Sequence, residues 1–106
     1  MNPKRGEIWR VNAVVINSDT AGRLSLRLVV PLTGWNPNYA SYFWMTRIDP
    51  APANGLTKPS AADAFQMRGV DLGRFEENLG FLSEDILNRI AKAIALTVEF
   101  NPQQAR

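Results

Sequence analysis

The chain has 106 residues, 45% hydrophobic and 21% charged, with 12 Lys and Arg against 10 Asp and Glu and with neither Cys nor His. This is enough for one modest core, a single domain over 1–106, and it excludes disulfides, thiol nucleophiles, Cys- or His-built metal sites and a histidine general base. No apolar run approaches the roughly 20 residues that cross a bilayer, and no apolar signal segment follows Met1 to Gly6, so a cytoplasmic protein without membrane attachment is expected.

Ile8 to Val11 alternates apolar and polar residues, the period of a half-buried strand. Ala13 to Ile16 is a second strand, apolar on both faces and closed by Asn17-Ser18-Asp19. Leu24 to Leu32 is a third, with Leu24, Leu26, Leu28, Val30 and Leu32 on one face; Pro31 must sit where the ladder needs no donor. After a loop from Gly34, alternation returns over Tyr42 to Ile48 and stops at the breakers between Asp49 and Gly55. Ser60 to Arg68 reads as a weak fifth strand ended by Gly69, and Asp71 to Glu77 as a short helical turn. The clearest element is last: Ser83 caps a helix with Glu84 and Asp85 in its first turn, and Ile86, Ile90, Ile94 and Val98, widened by Leu87 and Ala91, form its apolar stripe. Asn101-Pro102 stops it, and the tail to Arg106 is expected to fray.

The charge is unevenly placed, +4 over residues 1–70 and −2 over 71–106. That suits a basic face meeting an anion, although a mixed solvated surface is the plainer reading. A second tension lies between the first two strands. Only Asn12-Ala13 is left to turn the chain, and Ala13 is a poor second member of a two-residue hairpin loop.

Five segments, in order, resemble one family: Arg5-Gly6-Glu7-Ile8-Trp9, Val14 to Asp19, Val29-Val30-Pro31-Leu32-Thr33, Gln66-Met67-Arg68 and Leu79-Gly80-Phe81-Leu82-Ser83. They are similar to the MazF/PemK toxin ribonucleases. The resemblance implies a mainly β, α+β fold, a small SH3-like barrel with a C-terminal α-helix. It further implies a homodimer that cleaves single-stranded RNA with no metal or other cofactor and is plugged by a disordered acidic-apolar segment of a cognate antitoxin. In that family a loop of about a dozen residues joins the first two strands and ends in a catalytic Arg. This sequence passes straight from Asn12 to Ala13. Either the loop is deleted, leaving a barrel that binds RNA or an antitoxin without cutting, or residues belonging there are missing from the sequence. The family-like surroundings and the poor turn chemistry favour the second.

By the same resemblance Thr33 is a catalytic residue, since a hydroxyl at a strand end can donate to a phosphate oxygen as charge develops; without the resemblance, satisfying a turn is the simpler role. Arg5 matches a base near the family's site and could hold a phosphate bidentately. Ser60, Gln66 and Arg68 fall on the strand that contacts RNA in the family, where Gln66 could read a base edge and Arg68 a base or phosphate. Phe65 in an alternating strand reads as core, as do Trp9 and Trp44. Trp35 and Tyr39, in the loop after Thr33, are the better candidates for RNA or partner contact, and Trp35 is assigned to RNA. Glu7 and Asp19 as a catalytic carboxylate pair have nothing in the sequence to place them together.

Overall fold

The structure, a computed structural model, describes residues 2–101. The expected stop at Pro102 and the tail to Arg106 lie outside them. Seven strands are present among the described residues, β1 (Glu7–Trp9), β2 (Ala13–Val15), β3 (Leu26–Gly34), β4 (Met45–Ile48), β5 (Ser60–Asp63), β6 (Arg68–Asp71) and β7 (Asn78–Phe81), followed by α1 (Glu84–Thr97). They form one curled antiparallel sheet in the order β4-β5-β3-β2-β1-β7, with β6 also on β3. The expected mainly β, α+β barrel fold with a C-terminal α-helix is present, its curled sheet forming a half-barrel.

The nine-residue β3 organises the sheet. β2 runs along one of its edges, and β6 and then β5 share the other, pairing at Leu26 to Val29 and at Leu32 to Gly34. The expected strand from Ser60 to Arg68 is therefore two strands. Between them the chain lifts into a 3₁₀ turn at Ala64–Gln66, capped by Asp63 Oδ1, which accepts from Phe65 N at 3.1 Å. Pro31 explains the break. Leu32 N donates toward the β2 side, to Asn12 O at 2.8 Å, so the adjacent Pro31 nitrogen faces the other edge, where this turn leaves no acceptor to satisfy.

The sheet buries both faces. One carries Ile8, Val14, Val30, Leu32 and Ile48 under Leu87 and Ile90 of α1; the other carries Ala13, Val15, Val29 and Val70 with Trp9, whose ring meets Phe75 edge-on at 5.6 Å. The Leu24-to-Leu32 stripe is accordingly only half right. Val30 and Leu32 lie under α1, whereas Leu24, Leu26 and Leu28 run beyond it into solvent, and the alternate residues Arg27 and Val29 are buried instead. On α1, Leu87, Ile90 and Ala93 are buried, Ile86 and Ile94 are partly buried, and Val98, 68% exposed, falls past the helix end. Ser83 caps it, accepting from Ile86 N at 3.3 Å.

The β1–β2 connection does not use Asn12-Ala13 as a two-residue loop. Trp9 pairs with Ala13, so the loop is the three residues Arg10, Val11 and Asn12. Asn12 takes the left-handed conformation (φ 59°) that Asn tolerates, and its Nδ2 donates to Leu32 O at 2.8 Å. The hairpin thus closes with no further residues. β7 and the loop from Asp49 to Leu56 seal the opposite side. Buried Asn54 donates to Asp49 O and accepts from Ala51 and Leu56 N–H, and Phe81 N donates to Ala53 O at 2.9 Å. Gly55 (φ 70°) lets the two backbones approach so closely that a Cβ would collide with Leu79 O.

Arg27 is the least expected core residue, 1% exposed and without a carboxylate partner among the described residues. Neutral oxygens take all its hydrogen bonds. Nε donates to Pro3 O at 3.0 Å, Nη1 to Leu24 O and Leu26 O at 2.9 Å each, and Nη2 to Asn2 Oδ1 at 2.9 Å and Gly22 O at 3.1 Å. The guanidinium fork ties the N-terminal segment to the sheet.

Candidate functional site

Directly paired residues of an antiparallel sheet share a face, so register alone places several polar side chains together. Thr33 pairs with Ala61, and Ala61 with Arg47, which puts Thr33 and Arg47 on one face two strands apart, about 10 Å between backbones. Val29, two turns of the pleat before Thr33, pairs with Arg68 and brings that guanidinium to the same face. The 64–66 turn, with Phe65 and Gln66 exposed and Ala64 buried, joins β5 to β6 and lies close to α1.

The Thr33 side chain is exposed, and its hydroxyl has no partner among the described residues. It is therefore not consumed by a turn. Arg47 is half-exposed, held by Asp49 through Nε to Oδ1 at 2.9 Å, and its guanidinium carbon sits 5.2 Å from the centre of the Trp35 ring. Lys58 Nζ lies 3.9 Å from the point where a Gly34 Cβ would be, beside the residue that follows Thr33. Arg68 borders a cleft of about 500 Å3 with Val11, Asp71 and Arg74. Lys58, Arg68 and Arg74 have no acidic partner within 4.0 Å among the described residues. A hydroxyl donor on a face that also carries guanidinium groups is chemistry suited to an anion. No group of three or more Asp and Glu among the described residues could hold a metal ion.

The other sequence candidates are placed differently. Arg5 donates through Nη1 to Ile16 O, and Ile16 N donates to Leu28 O, so this guanidinium belongs to the far end of β3, five residues from Thr33. Ser60 falls on the opposite, core face with Gly34 and Ile48; it is 6% exposed, and its hydroxyl donates to Lys58 O at 3.2 Å. Trp35 and Tyr39 lie beside Thr33, their rings edge-on at 5.8 Å. Phe65 is not core: the 64–66 turn turns it outward, 56% exposed. Trp44 is only partly buried. Glu7 and Asp19 do not form a pair; Glu7 accepts from Trp9 Nε1 and Lys4 N, and Asp19 from Arg5 N. Arg47 is the residue that sequence reasoning missed, because only strand register brings it to Thr33. Arg10 on the short hairpin is engaged elsewhere, its Nε donating to Glu77 Oε1 at 2.6 Å.

A curled antiparallel half-barrel with one terminal helix and a cationic, hydroxyl-bearing face at the end of β3 defines a class of small β-barrel proteins. The family described as PemK-like, MazF-like toxin of type II toxin-antitoxin system matches residues 4–98. The chain belongs to this family. Among solved structures, an endoribonuclease from Mycobacterial species aligns at TM-score 0.75 with 17% identity, covering 94% of each chain. A MazE-MazF structure from Deinococcus radiodurans (Form-III) aligns at TM-score 0.76 with 19% identity, covering 95% of this chain and all of the other. The Mycobacterium tuberculosis toxin MazF-mt6 aligns at 0.74 with 16% identity, over 92% of this chain and 99% of that one. At these identities the likeness establishes the fold. No curated protein matches the sequence.

Proposed function

We propose that the protein is the toxin of a type II toxin-antitoxin pair and an endoribonuclease that cuts single-stranded RNA without a metal. The observation that carries this reading is the unengaged Thr33 hydroxyl on the same face as Arg47 and Arg68. In the reaction the ribose 2′-oxygen bonds to the adjacent phosphorus and the bond to the 5′-oxygen breaks. The 2′-hydroxyl gives up its proton, the 5′-oxygen gains one, and a 2′,3′-cyclic phosphate remains. Thr33 donates to a non-bridging oxygen as negative charge accumulates, and Arg47 supplies the fixed positive charge that the absent loop would otherwise bring. Gln66, Arg68 and Trp35 bind the strand on either side of that phosphate, while Arg5 and Ser60 support the backbone.

A homodimer and a cognate antitoxin belong to the same reading. Leu24, Leu26, Leu28 and Met67 form an exposed apolar strip on a sheet face, the kind of surface that a second copy covers. MazE-MazF structures and an endoribonuclease in complex with its cognate antitoxin share the fold, which supports an antitoxin partner here. No helix among the described residues is long and apolar enough to cross a membrane, in keeping with a cytoplasmic toxin.

The test is incubation of the purified protein with single-stranded RNA in excess EDTA. Cleavage leaving a 2′,3′-cyclic phosphate and a 5′-hydroxyl is expected. Binding of RNA without any cleavage would instead identify a barrel that has lost catalysis along with the β1–β2 loop.

A further inference from the structure

Six aromatic rings form one connected surface beginning two residues after Thr33. Trp35 meets Tyr39 at 5.8 Å, Tyr39 meets Tyr42 at 6.0 Å, and Tyr42 stacks on Trp44 at 4.7 Å and 10°. Trp44 then contacts Phe43 and Phe65, each with centroids 5.1 Å away and edge-on. A surface of this kind would ordinarily be buried, yet Tyr42, Phe43 and Phe65 are all exposed. Cations border the ridge: Arg47 lies over Trp35 and, with Arg89 and Lys92, lines a cleft of about 290 Å3 that Phe43 borders. Arg47 is paired with Asp49 and Arg89 with Asp85, while Lys92 has no acidic partner within 4.0 Å among the described residues. A partner that combines flat apolar faces with negative charge fits this surface.

We infer that this aromatic ridge is a stacking track for the bases of a single RNA strand running away from Thr33 toward the Arg89 and Lys92 side of α1; the inference rests on the ribonuclease reading above. Two features favour RNA over an acidic peptide. The ridge is continuous with the proposed phosphate site through Trp35, which Arg47 lies over, and its exposed rings take any base because every base has a π-face. The track extends the bound strand by several nucleotides beyond the scissile phosphate and adds affinity without reading sequence.

The test uses uridine oligonucleotides 4, 8 and 12 nucleotides long, 2′-O-methylated throughout so that they bind without being cut. For the wild type, affinity is expected to rise at least tenfold from 4 to 8 nucleotides, with quenching of tryptophan fluorescence as bases stack near Trp35 and Trp44. In F43L/F65L, which keeps apolar bulk but cannot stack, most of that rise disappears, about tenfold at 8 nucleotides, while thermal stability and the single-turnover rate at saturating RNA stay at wild-type values. F43A/F65A should behave alike, which separates loss of stacking from altered packing. Unchanged affinity for the 8-mer in both variants would overturn the inference and assign the ridge to a protein contact, even if Thr33→Ala still abolished cleavage. If the wild type neither bound nor cut RNA, the ribonuclease reading would fall first.

Discussion

Replacing Arg27 probes how the fold holds its N-terminal segment. The side chain is 1% exposed and donates five hydrogen bonds to neutral oxygens. Four of the acceptors belong to the exposed residues Asn2, Gly22, Leu24 and Leu26, which water can reach once the guanidinium is gone. Pro3 is buried, and its carbonyl would stay unpaired at a cost of about 1–3 kcal/mol. The lost charge-assisted bonds add to this, while the variant is relieved of desolvating an unpaired cation, an opposing term. The balance for Arg27→Met is a destabilisation of about 3 kcal/mol, a fall in Tm of roughly 10 °C or more for a domain of this size. Arg27→Lys, with three donors for five acceptors, should fall between. Urea unfolding measures both variants, with an unchanged m-value showing that the same surface is exposed. Arg27→Met within 1 kcal/mol of wild type would refute the clamp and mean that burying the bare cation costs as much as its bonds return.

Gly55→Ala should destabilise by about 2 kcal/mol or more in the same assay, because the residue sits at φ 70° and its Cβ would strike the Leu79 carbonyl. Leu26→Asp should leave the monomer folded but shift the species seen by analytical ultracentrifugation from dimer to monomer, since Leu26 is exposed on the strip assigned to the second copy. Arg47→Gln should slow RNA cleavage by at least tenfold, with Arg47→Lys recovering part of the rate; a rate unmoved by either would remove Arg47 from the phosphate site.

The sequence made the topology of this chain more legible than its surfaces. Helix α1 was readable to the residue at its start because Ser83, Glu84 and Asp85 are local chemistry, and β3 was readable from its alternation. What covers a strand is not local. Leu24, Leu26 and Leu28 alternate like core, yet α1 reaches only Val30 and Leu32. Arg27, a charged residue in an apolar strand, gave no hint of burial, since its acceptors come from backbone at Pro3, Gly22, Leu24 and Leu26. Strand β7 escaped notice because Asn78-Leu79-Gly80-Phe81 has weak strand propensity and pairs only through β1. At the site, Thr33 came from a family resemblance, whereas Arg47 required strand register. Phe65 looked like core until the break opposite Pro31 turned it outward.

The central claim is that Thr33 acts on the transferring phosphate and not on binding or folding. The most direct measurement is the single-turnover cleavage rate of Thr33→Ala in EDTA, set beside its affinity for a 2′-O-methylated RNA. The account predicts a rate at least a hundredfold below wild type with affinity unchanged within about twofold, the pattern of an interaction made chiefly in the transition state. A rate equal to that of the wild type, or an affinity loss as large as the rate loss, would contradict it.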